Sequence, residues 1–235
     1  MSLDQQKMLV WDFDGTLAYR QGKWSGALVE VLDFVDPGHR FSAEHFSPYV
    51  QSGFPWHTWE RTNEPGLDPN QWWERLTPIF KSAFMVGANY PDTDATRMAR
   101  LVRERYLKPA RWKLYDDATP ALSLLSKSGY RQVILSNHVP ELQQLLSGLG
   151  IASFFEQVFN SATSGIEKPH PAAFLAVKAA YPEVSRFVMI GDSLTADVSG
   201  AETVGIPAVL VRSTGGKTKR ACFSLLEVVD HVEIE

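Results

Sequence analysis

The 235-residue sequence has one cysteine, Cys222. An internal disulfide is therefore excluded, and an ordinary core has to hold the fold. No apolar run approaches the roughly 18 residues that would suggest a membrane span. There is no surplus of positive charge: the net charge is −4 and the pI near 5.9. That balance gives no broad attraction to nucleic acid or to an anionic membrane, so neither is expected as a partner. Internal repeats and low-complexity segments are lacking too. The polar opening, Met1-Ser2-Leu3-Asp4-Gln5-Gln6, predicts no secretory leader. Together these shortages predict a cytoplasmic protein. With 44% hydrophobic and 21% charged residues the composition is that of a soluble globular chain. Its length suits one large domain or a core with an insert.

What is present starts with Met8-Leu9-Val10-Trp11-Asp12-Phe13-Asp14-Gly15-Thr16-Leu17. An apolar run leads straight into two carboxylates. On an extended strand, side chains two apart share a face, which places Asp12 and Asp14 together and Phe13 opposite. Gly15 permits a sharp turn, and Thr16 adds a hydroxyl beyond it. Two carboxylates this close repel unless a cation or a proton intervenes.

From about Ala18 to Pro109 the chain reads as helices and loops without a convincing strand. Helical spacing appears over Ser25 to Val35 and is broken by Pro37-Gly38. Ser42, Asp68-Pro69 and Asp92 mark further helix starts. All seven tryptophans lie at or before residue 112, which predicts a helical module with its own small core inserted after the first strand. Trp72, Trp73, Phe80 and Phe84 are assigned to packing, and Arg97, Arg100, Arg103, Arg105 and Arg111 to a solvated basic face and flank.

From Asp116 onward, apolar strands alternate with helices. Strands are expected at Gln132 to Leu135, Phe154 to Phe159, Phe187 to Ile190 and Ala208 to Val211, and helices from Thr119, Pro140, Pro171 and Thr195. This alternation implies an α/β fold with a mostly parallel, Rossmann-like sheet and helices on both faces. Ligands bind beyond the carboxyl ends of such strands. Polar residues recur there: Asp12 and Asp14, Ser136-Asn137, and Gly191-Asp192-Ser193 followed by Asp197. Lys168-Pro169 lies in a loop between two elements. Lys217, Lys219 and Arg220, after Gly215-Gly216, read as a surface loop.

Asp12, Asp14, Asp192 and Asp197 supply up to four negative charges, against one positive charge from Lys168. A phosphate monoester adds about two more negative charges near neutral pH. Such a site needs a divalent cation, and an all-oxygen ligand set suits Mg²⁺.

With Asp12-Phe13-Asp14-Gly15-Thr16, Ser136-Asn137, Lys168-Pro169 and Gly191-Asp192-Ser193 with Asp197 in this order, the sequence resembles the haloacid dehalogenase-like superfamily, in its phosphatase branch. Gly200 to Pro207 also matches the passage after the fourth motif. The resemblance implies a catalytic core over 1–17 and 110–235 and a helical cap of the first cap class over 18–109. It implies that Asp12 is the nucleophile, forming an aspartyl-phosphate, and that Asp14 is the general acid and then general base. Thr16, Ser136, Asn137 and Lys168 would bind the phosphate, and Lys168 would also neutralise Asp12. Asp12, the Asp14 carbonyl and Asp192 would hold Mg²⁺. Ser193 and Asp197 would hold Lys168 or a water beside the ion. Asp14 also separates this pattern from members that cleave carbon–halogen bonds without a metal.

The implied activity is hydrolysis of a small phosphorylated metabolite such as phosphoglycolate, a sugar phosphate or a nucleotide. The alternatives are a phosphomutase with the same nucleophile and, further off, a phospho-acceptor signalling domain. Substrate choice falls to the cap, where Trp56, His57 and Arg61 are candidate specificity residues; the competing reading is that these aromatics form the cap's own core. The chain is expected to be a monomer or a homodimer.

Overall fold

The computed structural model describes residues 7–214, 218 and 220–232. The polar opening, Gly215, Gly216, Lys217 and Lys219 lie outside the described residues. In chain order the elements are β1 (Lys7–Trp11), β2 (Ala18–Arg20), α1 (Lys23–Val35), α2 (Ala43–Phe46), α3 (Pro69–Ser82), α4 (Asp92–Tyr106) and β3 (Trp112–Leu114). Then come α5 (Ala118–Lys127), β4 (Arg131–Ser136), α6 (Leu142–Gly148), β5 (Val158–Asn160), α7 (Ser161–Ser164) and α8 (Pro171–Ala180). The last are β6 (Arg186–Gly191), α9 (Gly200–Glu202), β7 (Ala208–Leu210) and α10 (Val228–Val232).

The chain forms two compact units. One contains Met1–Tyr19, Trp59–Gly66 and Lys113–Glu235; the other contains Arg20–Thr58 and Leu67–Trp112. The first is built on a five-stranded sheet in the order β5-β4-β1-β6-β7. Every pairing in it is parallel, with Trp11 opposite Ile134 on one side and Ile190 on the other. Alternation along β1 splits the core. Met8 and Val10 face a cluster that includes Val133, Met189 and Leu210 beneath Phe174 and Val177 of α8. On the opposite face the Trp11 indole donates to Gln132, whose amide donates to the Leu122 carbonyl of α5. Helices therefore cover both faces, and the one polar residue inside β4 is satisfied by both neighbours. The strand order reverses beside β1, so this sheet's topological switch point lies at the end of β1.

The stretch Trp59–Gly66, which the sequence reading gives to the insert, clusters with the sheet unit. The Asn63 N–H donates to the Gly165 carbonyl at 2.7 Å, and the Gly66 N–H to the Thr163 carbonyl at 2.9 Å. No hydrophobic period marks this stretch, and these backbone bonds join it to residues 163–165.

The second unit is helical. On α1, Trp24, Ala27, Leu28, Val31 and Leu32 are buried, and on α4 Ala95, Met98, Ala99, Val102 and Tyr106 are, which are the three-and-four spacings of helices with one apolar stripe. Trp24 is its hub, stacked on Tyr106 with centroids 3.9 Å apart and on Phe54 at 4.9 Å, with Trp73 edge-on at 6.0 Å. Asp68 caps α3 by accepting from the Asn70 N–H at 2.8 Å, and Ser42 caps α2. Of the arginines read as solvated, Arg103 donates to the Asn70 side chain and Arg105 lays its guanidinium 4.3 Å over the Phe34 ring.

Three elements differ from the sequence reading. β2 pairs with β3 in a two-stranded sheet, whereas the sequence predicts no strand over 18–109; three-residue strands are too short to show a period. Where a strand is expected over 154–159, the observed strand is Val158–Asn160, after a 3₁₀ turn over Ala152–Phe154. The helix expected from Thr195 begins as a wide π turn over Leu194–Ser199 and continues as α9.

Candidate active site

The site lies in the sheet unit, at the carboxyl ends of β1, β4 and β6. Asp12 leaves β1 with its N–H donating to the Ile190 carbonyl at 2.9 Å, so its backbone still belongs to the sheet. Its side chain is buried. Oδ1 accepts from the Ser136 hydroxyl at 2.8 Å and from the Lys168 ammonium at 2.9 Å. Residues separated by more than a hundred positions thus meet on one carboxylate oxygen.

Lys168 is 2% exposed. Its ammonium bridges Asp12 and Asp197, the latter at 2.5 Å. Burial pulls the Lys168 pKa down, but the charges of Asp12 and Asp197 outweigh it and leave the ammonium above its ordinary value. Burial likewise pushes the Asp197 carboxyl up, and Lys168 pulls back against it. The side-chain amide of Asn137 holds Lys168 by its backbone: it accepts from the Lys168 N–H at 2.7 Å and donates to its carbonyl at 2.8 Å. Asn137 therefore spends its side chain on placing Lys168.

Gly15 and Thr16 bind the β1 end to the β6 end. Gly15 has φ +93°, and a Cβ there would sit 2.4 Å from an Asp192 carboxylate oxygen, so both backbone and space demand glycine. The Thr16 hydroxyl accepts from the Asp192 N–H at 3.0 Å and faces the Asp192 carboxylate at 3.2 Å and that of Asp12 at 3.5 Å. Asp14 is half-buried one residue before that turn.

Carboxylate oxygens of Asp12, Asp192 and Asp197 lie within 4.8 Å of one another. Both Asp197 oxygens are already engaged, one by Lys168 and the other by the Ser193 N–H at 3.0 Å. Asp12 and Asp192 retain acceptor capacity, and Asp192 is exposed. Although the residue as a whole is exposed, the protein around its carboxylate excludes part of the water; this and the like charge of Asp12 raise the Asp192 pKa, while Thr16 opposes the rise. A hard cation with oxygen ligands fits this pair, since it relieves the repulsion that raises Asp192. The Ser193 hydroxyl caps the following turn by accepting from the Ala196 N–H at 3.0 Å, so Ser193 touches Lys168 only through Asp197.

Residues the sequence did not single out complete the surroundings. His138, next after Asn137, packs edge-on against Phe13 with centroids 5.3 Å apart, and burial pushes its pKa down to about 4. Glu167, beside Lys168, is 1% exposed, and burial pushes its carboxyl up to about 7. Adjacency to a motif was the only signal either offered. Cys222 is buried, and burial pushes its thiol up to about 11, which leaves no thiolate for nucleophilic work at neutral pH.

The three candidate specificity residues are divided. Trp56, in the helical unit, is half-buried and stacked on Phe54 at 4.9 Å. His57 is exposed, and its Nδ1 accepts from the Phe54 N–H at 3.3 Å. Arg61 is exposed and belongs to the sheet unit.

The sequence profile of the haloacid dehalogenase-like hydrolases matches residues 6–205. Over 222 residues the chain is 31% identical to haloacid dehalogenase-like hydrolase domain-containing protein 3 of Mus musculus, covering 88% of this chain and 82% of that protein. It is 33% identical over 162 residues to the phosphoserine phosphatase of Thermus thermophilus, 65% of this chain and 61% of that one, so it spans less than two thirds of that relative. Among solved structures, YfnB from Bacillus subtilis bound to magnesium superposes over 98% of this chain and 100% of its own, with a TM-score of 0.71 at 20% identity, a likeness of fold. Profile, relative and fold agree: the chain belongs to the haloacid dehalogenase-like hydrolase family.

Proposed function

We propose that this chain is a Mg²⁺-dependent phosphatase that hydrolyses a small phosphorylated metabolite through an aspartyl-phosphate on Asp12. The observation that carries the reading is the single point at which Asp12, Ser136 and Lys168 converge, with Asp192 alongside. Similarity to a phosphoserine phosphatase supports the reaction class.

In this reading Lys168 and Ser136 orient the Asp12 carboxylate for attack on phosphorus, and the ammonium offsets charge on the transferring group. Asp14 gives its proton to the leaving oxygen as the P–O bond breaks. It then takes a proton from water, which attacks the aspartyl-phosphate and frees Asp12. The Asn137 N–H and Thr16 grip phosphate oxygens, and the Ser136 hydroxyl joins them by turning its one proton from Asp12 to the phosphate as substrate binds. Asp197 keeps Lys168 in place, with Ser193 behind it. Asp12, the Asp14 carbonyl and Asp192 would hold Mg²⁺, which supplies the positive charge that lets an anionic ester enter an anionic site. Trp56, His57 and Arg61 would read the leaving group. The chain acts in the cytoplasm, as a monomer or homodimer.

A panel of phosphorylated metabolites, assayed for inorganic phosphate with Mg²⁺ present and then chelated, tests this. Release from at least one member, lost on chelation and in Asp12→Asn, is the expected result. Release that survives both changes overturns the reading.

A further inference from the structure

Arg212 lies outside the four motifs, yet its guanidinium is bound to the Thr16 turn of the site. It follows β7, where the Val211 N–H donates to the Gly191 carbonyl at 2.9 Å, one residue before Asp192. Its backbone then turns to φ +58°, a region that residues with a Cβ avoid. The strained turn sends the side chain back across the end of β1. There, Nη2 and Nε both donate to the Thr16 carbonyl, at 2.9 and 3.3 Å. The other edge of the guanidinium makes a fork with Asp117, at 2.8 and 2.7 Å, and its face lies 3.8 Å over the Tyr115 ring. Asp117 is itself fixed by the Ser224 hydroxyl at 3.1 Å and the Leu225 N–H at 2.9 Å.

We propose that Arg212 is a positioning residue for the metal site: it clamps the Thr16 backbone, so that the Thr16 hydroxyl holds the Asp192 carboxylate where a divalent cation meets it. The chain of contacts is short. Arg212 fixes the Thr16 carbonyl, and the Thr16 hydroxyl contacts the Asp192 N–H and carboxylate. A guanidinium suits this task because its rigid fork serves Asp117 and the carbonyl at once. A lysine has the charge but not the two-edged geometry. This inference rests on the proposed Mg²⁺ site.

The test is Mn²⁺ binding to the purified full chain, followed by electron paramagnetic resonance, together with phosphate release. Arg212→Gly removes the guanidinium while suiting the backbone angle. The expected result is Mn²⁺ affinity weaker by on the order of tenfold, with affinity recovered on adding millimolar guanidinium ion, which does nothing to the wild type. Arg212→Lys should fall between the two and decides the question if Arg212→Gly does not fold. Wild-type Mn²⁺ affinity in the folded variant overturns the assignment, as does weakened affinity that guanidinium does not restore. A wild type that binds Mn²⁺ but releases phosphate from nothing overturns the proposed function and leaves this assignment standing. A wild type that binds no Mn²⁺ overturns both.

Discussion

Lys168 and Glu167 are neighbours in sequence with opposite fates in the same interior. The ammonium finds two carboxylates, whereas the carboxyl of Glu167 is buried with too little compensation: burial pushes it up to about 7, outweighing Ser161 and Lys168, which pull it down. The folded chain therefore keeps a proton that an unfolded glutamate releases near pH 4.5. The sign follows from linkage. Glu167 contributes its stability in full below about pH 4.5, and that contribution is lost as the pH rises toward about 7. The loss is on the order of 3 kcal/mol. Glu167→Gln should unfold in urea with less dependence on pH across that window; the same slope in both proteins would contradict the account. At this scale the sequence exposed what lies at strand ends. Asp12, Ser136 and Asp192 could be found because a strand followed by a turn announces its own end. Arg212 could not, since its partner Thr16 is 196 positions away and nothing local distinguishes it from a surface arginine.

Helices of the second unit were legible from a cap, as at Asp68 before α3, or from an apolar stripe, as along α1. The β2–β3 pairing was not, because strands of three residues carry no period and are made by their partner. The same limit hid the backbone ladder between Trp59–Gly66 and residues 163–165. Packing in the helical unit turns on Trp24, which touches aromatic rings from α3, α4 and the loop at Phe54. Trp24→Ala should destabilise that unit by about 3–5 kcal/mol, the cost of emptying a large buried aromatic site. Thermal unfolding followed by tryptophan fluorescence would register it as a lowered midpoint, and an unchanged midpoint would show that the stack is incidental.

On the scale of the whole molecule, the strand order places the ends of β1, β4 and β6 side by side, and chemistry collects there because adjacent parallel strands all end at the same edge. The α/β architecture was readable from the alternation of apolar strands and helices after Asp116. The skew of tryptophan toward the first half marked the helical insert. The central claim is that Asp12 itself receives the phosphoryl group. Rapid acid quench of the enzyme during turnover, followed by mass spectrometry of the peptide that carries residue 12, tests it directly. The account predicts a phosphate adduct on Asp12 that vanishes on chelation of the metal and in Asp12→Asn; turnover without that adduct, or with the phosphate on another residue, would contradict it.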